Sequence, residues 1–226
     1  MCRDLHLTTP QNTWNSEYSS NKSIPSSTRF TPSGVFTSVL EDSGIMPDVS
    51  TAVELGIGNG RNLKYLDTCN VPKIYGIDFS SESIQLAKET LRKVPCEIIQ
   101  ANIVGTVPLE SLSMDLIVDS YVSCHFVESH NFEAYLTEVE RISSSRNGYF
   151  FWSGIGTEDE YYSKFTTNRI VTDPENDVTK KLYTHDEVKN AFGREYTTLE
   201  SREIEFTDTV NSTDYTRNIL TALYKI

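Results

Sequence analysis

Residues 53–60 read VELGIGNG, a glycine-rich loop between a predicted buried strand (residues 51–55) and a predicted helix (residues 62–67). Gly56, Gly58 and Gly60 let the backbone turn tightly and approach a ligand, because glycine carries no Cβ. Arg61 stands where a dinucleotide-binding loop has its third small residue, so the spacing is G-x-G-x-G. Glu54 before the loop favours a cationic ligand over a pyrophosphate. The alternative is a tight strand-to-helix turn without a ligand.

The second informative residue is Asp78, at the end of the next predicted strand (residues 73–77). Its two carboxylate oxygens can accept hydrogen bonds from both hydroxyls of an adenosine ribose. Asp78 could instead cap the helix predicted at residues 81–91. Because it follows a G-x-G-x-G loop, we favour the ribose.

Outward from the loop, short apolar runs alternate with amphipathic stretches, which predicts a parallel sheet covered on both faces. The further predicted strands are residues 96–100, 114–118 and 148–152, and the further helices begin at Thr31 and Phe132. Thr184 and Glu187 form a capping box that opens a short helix ending near Gly193. Residues 196–206 and 218–224 are β-rich with no helix between them, which predicts an antiparallel pair at a sheet edge.

Two stretches, VELGIGNGRNLKYL (residues 53–66) and YGIDFSSESIQLAKETL (residues 75–91), together resemble the first motif and its successor in the class I S-adenosylmethionine-dependent methyltransferases. The likeness extends from about Phe36 to Ile226. It implies an α/β, Rossmann-like methyltransferase fold: a seven-stranded, mostly parallel sheet with an antiparallel last strand and helices on both faces. It also implies methyltransferase activity with S-adenosyl-L-methionine as the cofactor.

The resemblance further implies a set of cofactor-binding residues: Glu54, Gly56, Gly58, Gly60, Asp78, Phe79, Asn102, Ile103, Asp119 and Ser120. Glu54 and the glycines would face the methionine half, and Asp78 would hold the ribose. Phe79 would lie near the adenine, with Asn102 at its amino group and Ile103 beside the ring. The turn from Asp119 to Tyr121, just past the fourth strand, would lie near the transferred methyl group and the substrate.

The methyl acceptor is less clearly indicated. Methyl transfer needs a base only when the nucleophile carries a proton, and His125 is our candidate ahead of Glu128 and His130. His125 could also be a packing residue. Tyr18, Arg29 and Tyr121 are the candidate substrate-binding residues. The segment Asp119-Ser120-Tyr121-Val122 lacks both prolines of an N-P-P-Y motif, which weakens a case for adenine or glutamine methylation.

The domain organisation follows from the same pattern. Residues 1–30 are rich in Ser, Thr and Asn with three aromatic residues among them, and we predict a lid, the alternative being a floppy tail. Residues 31–226 form a single methyltransferase domain with an insertion at about 154–180.

Composition limits the partners. The 226 residues carry a formal net charge of −12, so neither a nucleic acid nor an anionic membrane surface is an expected partner. No apolar run is long enough to span a membrane, and the four cysteines are scattered, so we predict no metal site and a cytoplasmic protein. The oligomeric state stays open.

The sequence thus predicts a methyltransferase that acts on an oxygen or nitrogen of a small molecule. Three alternatives remain: a methyltransferase of protein substrates, an NAD-dependent oxidoreductase and a non-catalytic methyltransferase-like subunit. Arg61 and Glu54 disfavour the oxidoreductase.

Overall fold

The fold is built around one large sheet. The computed structural model describes residues 10–20, 24–144, 148–174, 176–192 and 196–226. The strands are β1 (Thr51–Leu55), β2 (Lys73–Asp78), β3 (Cys96–Gln100), β4 (Leu116–Ser120), β5 (Tyr149–Ile155), β6 (Ile170–Thr172), β7 (Thr179–Lys181), β8 (Thr197–Val210) and β9 (Thr213–Lys225). The helices are α1 (Pro10–Ser19), α2 (Pro25–Thr28), α3 (Gly34–Ser43), α4 (Arg61–Thr68), α5 (Ser81–Thr90), α6 (Ser129–Ile142), α7 (Glu160–Ser163) and α8 (His185–Asn190).

Seven of these strands form the main sheet, in the order β3-β2-β1-β4-β5-β9-β8. Strands β1 to β5 pair in parallel, and β9 runs antiparallel to both β5 and β8. The predicted sheet with an antiparallel last strand is therefore confirmed. The carboxyl ends of β1, β2 and β4 meet at one edge, which is where open α/β sheets bind their ligands.

Both faces of the sheet are covered, because alternate residues of the same strand enter different apolar layers. In β5, Phe150 and Trp152 pack in the layer that contains α6 and α8, whereas Phe151 packs in the layer that contains α3, α4 and α5. Such two-sided burial explains why these strands read as continuous apolar runs.

Several element boundaries differ from the predicted ones. Strand β4 begins and ends two residues later than predicted, so Asp119 and Ser120 are its last two residues and do not follow it. Helix α3 begins later than predicted, with Ser33 and not Thr31 at its N-cap position, and Gly44, whose φ is 68°, occupies its C-cap position. The capping box of α8 is present, and Gly193 lies outside the described residues.

Two parts of the chain are more structured than their composition indicated. The insertion contains α7 and the two-stranded sheet β6–β7 around a small apolar cluster with Tyr161, Tyr162 and Val171. In the amino-terminal segment, α1 packs against α5. It is held there by hydrogen bonds from Gln11 Nε2 to Phe79 O (2.8 Å) and from Ser80 Oγ to Asn15 Oδ1 (2.8 Å).

The β8–β9 hairpin is longer than predicted and extends past the sheet. Its turn residues Asn211 and Ser212 both have positive φ, as a two-residue type I′ turn requires. Beyond the last residue paired with β5, Arg217 Nε donates to Asp159 Oδ2 at 2.9 Å, next to α7. The hairpin thereby fastens the insertion beside the carboxyl edge of the sheet. None of the described helices combines the length and apolar character needed to cross a membrane.

Candidate functional site

The glycine loop connects β1 to α4 at the carboxyl edge of the sheet. Gly56, Gly58 and Gly60 all have positive φ, at 74°, 54° and 77°, which residues with a side chain rarely adopt. A Cβ on Gly56 would also lie 2.6 Å from Val122 Cγ2, and one on Gly60 would lie 2.5 Å from Leu91 Cδ1. Two of the three glycines are therefore required by the fold itself, in addition to any role in ligand approach.

Glu54, the last residue but one of β1, is buried under this loop. Its side chain accepts a hydrogen bond from Asn62 Nδ2 through Oε1 (2.7 Å), and the residue is only 2% exposed. Oε2 is buried and accepts no hydrogen bond from the described part of the chain. Burial raises the pKa of Glu54 from 4.5 to about 8, and Asn62 and Arg61 only partly oppose this effect. Such an oxygen lacks a donor, and an ammonium group of a ligand would supply one.

Asp78 ends β2 and braces the glycine loop. Its Oδ2 accepts from Gly58 N (3.1 Å) and its Oδ1 from Ser80 N (2.9 Å). The cap of α5 is Ser80, whose Oγ accepts from Ser83 N, so the helix-cap alternative for Asp78 is wrong. Burial raises the pKa of Asp78 despite these bonds. Because each carboxylate oxygen has two lone pairs, both can still accept a ribose hydroxyl.

The predicted adenine site lies around the ends of β2 and β3. Phe79 is half-buried, and its carbonyl accepts from Gln11 on α1 and from Gln100 Nε2. Asn102 is exposed, and its Oδ1 accepts from Val104 N at 2.9 Å in a local turn. Ile103 is buried in the apolar layer that contains α6. Asn102 Oδ1 is thus engaged within its own loop, which leaves its Nδ2 as the group it can offer a ligand.

The end of β4 shapes the next turn. Asp119 is fully buried, its Oδ1 accepts from Val122 N (2.9 Å), and both its oxygens lie 3.3 Å from Ser123 N. Burial raises its pKa to about 6. Ser120 is partly exposed, and Tyr121 has a φ of 64°, which is unusual for a residue with a large side chain. The Asp119 carboxylate therefore holds the turn through its hydrogen bonds, while Tyr121 sits at a strained position of the kind common in functional sites.

His125 lies in the 3₁₀ turn Ser123–His125 that follows. Its Nδ1 is 3.1 Å from Thr179 O of the insertion, and its ring meets the Trp14 ring of α1 edge-on, with centroids 4.7 Å apart. Burial lowers the pKa of His125 from 6.5 to about 4. The pKa of His125 therefore lies outside the near-neutral range in which an unperturbed imidazole titrates. Glu128 and His130, the other candidate bases, are exposed at the start of α6.

Arg61, the first residue of α4, interacts electrostatically with the candidate substrate residues. Tyr18, Arg29 and Tyr121 all belong to its electrostatic environment, as does Glu54. The Arg29 backbone is fixed by a hydrogen bond from Asn59 Nδ2 in the glycine loop (2.8 Å). Sequence reasoning used Arg61 only to argue against a dinucleotide loop. Arg61 directly follows the last glycine of the loop, and this position could have predicted that it binds the same ligand as Glu54.

Comparison with known families bears on this geometry directly. A family model described as a methyltransferase domain matches residues 53–151, which include the glycine loop, Asp78, the end of β4 and His125. The chain therefore contains a methyltransferase domain, in the Rossmann-like fold of the class I S-adenosylmethionine-dependent methyltransferases. Its cofactor is S-adenosylmethionine, and Glu54 Oε2, which is buried and has no hydrogen-bond partner among the described residues, fits that cofactor's amino group.

Solved structures share the fold of this methyltransferase. One, from work on the conversion of a disulfide bond into a thioacetal group during echinomycin biosynthesis, is 15% identical and has a TM-score of 0.71, over 96% of this chain and 91% of its own. A methyltransferase from Anabaena variabilis is 14% identical with a TM-score of 0.67, over 95% and 92% of the two chains. One from Methanosarcina mazei is also 14% identical with a TM-score of 0.64, over 87% and 99%. No protein of curated function matches the sequence.

Proposed function

We propose that this enzyme transfers the methyl group of S-adenosylmethionine to an oxygen or nitrogen of a small molecule in the cytoplasm. The observation that carries the proposal is the pair of contacts at His125, one with the Trp14 ring and one with Thr179 O. Both contacts come from outside the family-matched residues 53–151. A carboxyl edge enclosed by α1 and by the insertion suits a small acceptor better than a folded protein surface.

Glu54 and Arg61 suit the methionine end of the cofactor. Glu54 and Arg61 interact electrostatically, and a carboxylate and a guanidinium are complementary to the ammonium and carboxylate groups of an amino acid. Asp78 would hold the ribose, and Phe79, Asn102 and Ile103 would surround the adenine. When bound, the cofactor supplies an electrophilic methyl group on a sulfonium, so the protein mainly has to align the acceptor and exclude water. Tyr18, Arg29 and Tyr121, grouped around Arg61, would contact the acceptor.

His125 would take the acceptor's proton. A carbonyl only accepts hydrogen bonds, so the contact with Thr179 O requires the proton on Nδ1 and leaves the lone pair on Nε2. The low pKa keeps the ring uncharged at neutral pH, and such a ring can accept a proton once the acceptor becomes acidic as the new bond forms. Asp119 would position the 3₁₀ turn that carries His125, and Ser120 would line the methyl end of the cofactor site.

The test separates a small acceptor from a protein acceptor. Cell extract is dialysed into a small-molecule fraction and a macromolecular fraction, and each is incubated with the enzyme and methyl-labelled S-adenosylmethionine. We expect enzyme-dependent label in the small-molecule fraction and none with Glu54→Gln, which should bind the cofactor poorly. Label that appears only in protein would contradict the proposal and favour the protein methyltransferase.

A further inference from the structure

The insertion contacts the proposed base through one backbone group. Thr179 is the first residue of β7, and its carbonyl accepts from His125 Nδ1 at 3.1 Å. Strand β7 also packs along the 3₁₀ turn that carries His125. The orientation and tautomer of the imidazole therefore depend on where the β6–β7 hairpin places this carbonyl.

The next residue of β7, Lys180, is anchored by a buried group of polar side chains. Its Nζ lies 2.5 Å from Asp173 Oδ2 and 2.6 Å from the Tyr162 hydroxyl, which itself donates to Asp173 Oδ2 at 2.8 Å. The ammonium also lies 4.6 Å from the centre of the Tyr162 ring. Lys180, Asp173 and Tyr162 are 8%, 3% and 6% exposed, so these hydrogen bonds are shielded from water.

Stabilising the hairpin does not by itself require this ion pair. Val171 on β6 is fully buried and Leu182, just after β7, is 1% exposed, and they supply an apolar anchor on either side. A buried ion pair seldom adds more stability than apolar residues of similar volume, and its known advantage is to select one arrangement over others. Here the selected arrangement places Thr179 O against the imidazole.

We propose that Lys180, held by Asp173 and Tyr162, is a positioning residue that fixes the tautomer and orientation of His125 through the Thr179 carbonyl. The inference rests on the proposed role of His125 in methyl transfer. Lys180 does not touch the acceptor or the cofactor in this scheme. The insertion is then a functional part of the active site, supplied by a segment outside residues 53–151.

Charge links the same residues to His125. Burial is the main cause of its low pKa; the positive charge of Lys180 lowers it further, and the negative charge of Asp173 raises it. Burial alone would lower the pKa of Lys180, but Tyr162 and Asp173 outweigh it and raise that pKa, so the ammonium stays charged. From α1 the facing group is the uncharged Trp14. Removing the Lys180 charge should therefore raise the pKa of His125.

Nitrogen-15 NMR of the histidine rings in the full chain with S-adenosylhomocysteine tests this, with the His125 signal assigned by its loss in His125→Gln. The test variant is Lys180→Met, and the matched control is Lys181→Met, whose side chain on the same strand faces Glu187 at 3.7 Å. We expect a single Nδ1–H tautomer in the wild type and in the control. In Lys180→Met we expect mixed tautomers and a His125 pKa higher by about one unit or more.

Turnover can be measured once an acceptor is known. We expect Lys180→Met to lower kcat at least tenfold, with unchanged affinity for S-adenosylhomocysteine. Tyr162→Phe keeps the ring and the Lys180–Asp173 ion pair but removes the two hydrogen bonds of the hydroxyl. It therefore provides a milder variant should Lys180→Met fail to fold, and we expect a smaller change in the same direction. Unchanged tautomer, pKa and kcat in a folded Lys180→Met, or in Tyr162→Phe if only that variant folds, would overturn the positioning role. If the NMR changes appear but His125→Gln retains full turnover, the positioning stands and the proposed base is wrong.

Discussion

Among individual residues, Glu54 carries the most chemical information. Its carboxylate is buried beneath a glycine loop; one oxygen accepts a hydrogen bond from Asn62, and the other has no donor within the part of the chain that the structure describes. A pKa of about 8 means that the ligand-free protein holds this group mostly protonated at neutral pH. A bound ammonium would favour the ionised form, so cofactor binding and proton release are coupled at this residue.

The first prediction concerns the pH dependence of that binding. Affinity for S-adenosylhomocysteine should rise with pH between about 6 and 8, by up to about tenfold per pH unit, as Glu54 loses its proton more easily. Glu54→Gln should weaken binding by about 1.5–3 kcal/mol at pH 8 and remove most of this rise. Calorimetry across the pH range measures both. Equal slopes in the two proteins would mean that Glu54 does not ionise on binding.

The same group affects stability without a ligand. Its folded-state pKa lies above the ordinary value of 4.5, so the folded protein binds the proton more tightly than the unfolded chain does. The contribution of Glu54 to the free energy of unfolding is therefore full below about pH 4.5 and is lost as pH rises to about 8. Urea unfolding should show a steeper decline over this range in the wild type than in Glu54→Gln.

Asp78 should serve both ligand and fold. Asp78→Ala should weaken S-adenosylhomocysteine binding by about 1.5–3 kcal/mol, as expected for hydrogen bonds to a charged group. It should also lower the free energy of unfolding by about 1–3 kcal/mol, because Gly58 N and Ser80 N lose their acceptor. Normal cofactor affinity in the folded variant would mean that Asp78 only stabilises the glycine loop and does not bind the ribose.

His125 provides the third prediction. His125→Gln should reduce turnover by roughly 100-fold at unchanged cofactor affinity, the scale of a lost general base. Because burial lowers the pKa of His125 to about 4, the wild-type rate should show no loss from protonation of this ring near pH 6. A reduction below about tenfold would leave alignment of the acceptor as the main source of catalysis.

At the scale of elements, α1 is the addition that most affects access to the site. It contacts Phe79 and Ser80 near the predicted adenine site, and through Trp14 it contacts His125. None of its described residues belongs to either main apolar layer. Its position over the edge of the sheet is consistent with a lid that excludes water during transfer.

Deleting residues 1–20 should therefore raise the Michaelis constants or abolish turnover, while the folded core remains. Trp14→Ala, which keeps the helix, should reproduce part of the effect through its contact with His125. Circular dichroism and thermal unfolding serve as controls for the core. If the shortened protein has the same kinetic constants as the full chain, the amino-terminal segment is a tail and does not act as a lid.

The sequence predicted the parallel strands and their helices well, because each carries a strong apolar period and is bounded by caps or glycines. It missed α1, whose mixture of Ser, Asn and Thr gives no period; its inward side is set by contacts with α5. It also missed the β6–β7 hairpin, whose strands have three residues each. Lys180 was accordingly overlooked, since its role depends on tertiary contacts that no local pattern records.

At the scale of the whole molecule, a common methyltransferase fold carries two additions that meet over one turn. We propose that the glycine loop at the edge of the sheet binds S-adenosylmethionine; α1 and the insertion both contact His125. The net charge of −12 also disfavours polyanionic acceptors. The central claim is that the loop, Glu54 and Asp78 form the cofactor site within this enclosure.

The most direct test is a crystal structure of the full chain with S-adenosylhomocysteine. We predict that the ligand's amino nitrogen lies within about 3.2 Å of Glu54 Oε2 and that its ribose hydroxyls bond to Asp78. A complex in which Glu54 Oε2 still lacks a partner, with the ligand bound away from the glycine loop, would contradict the account.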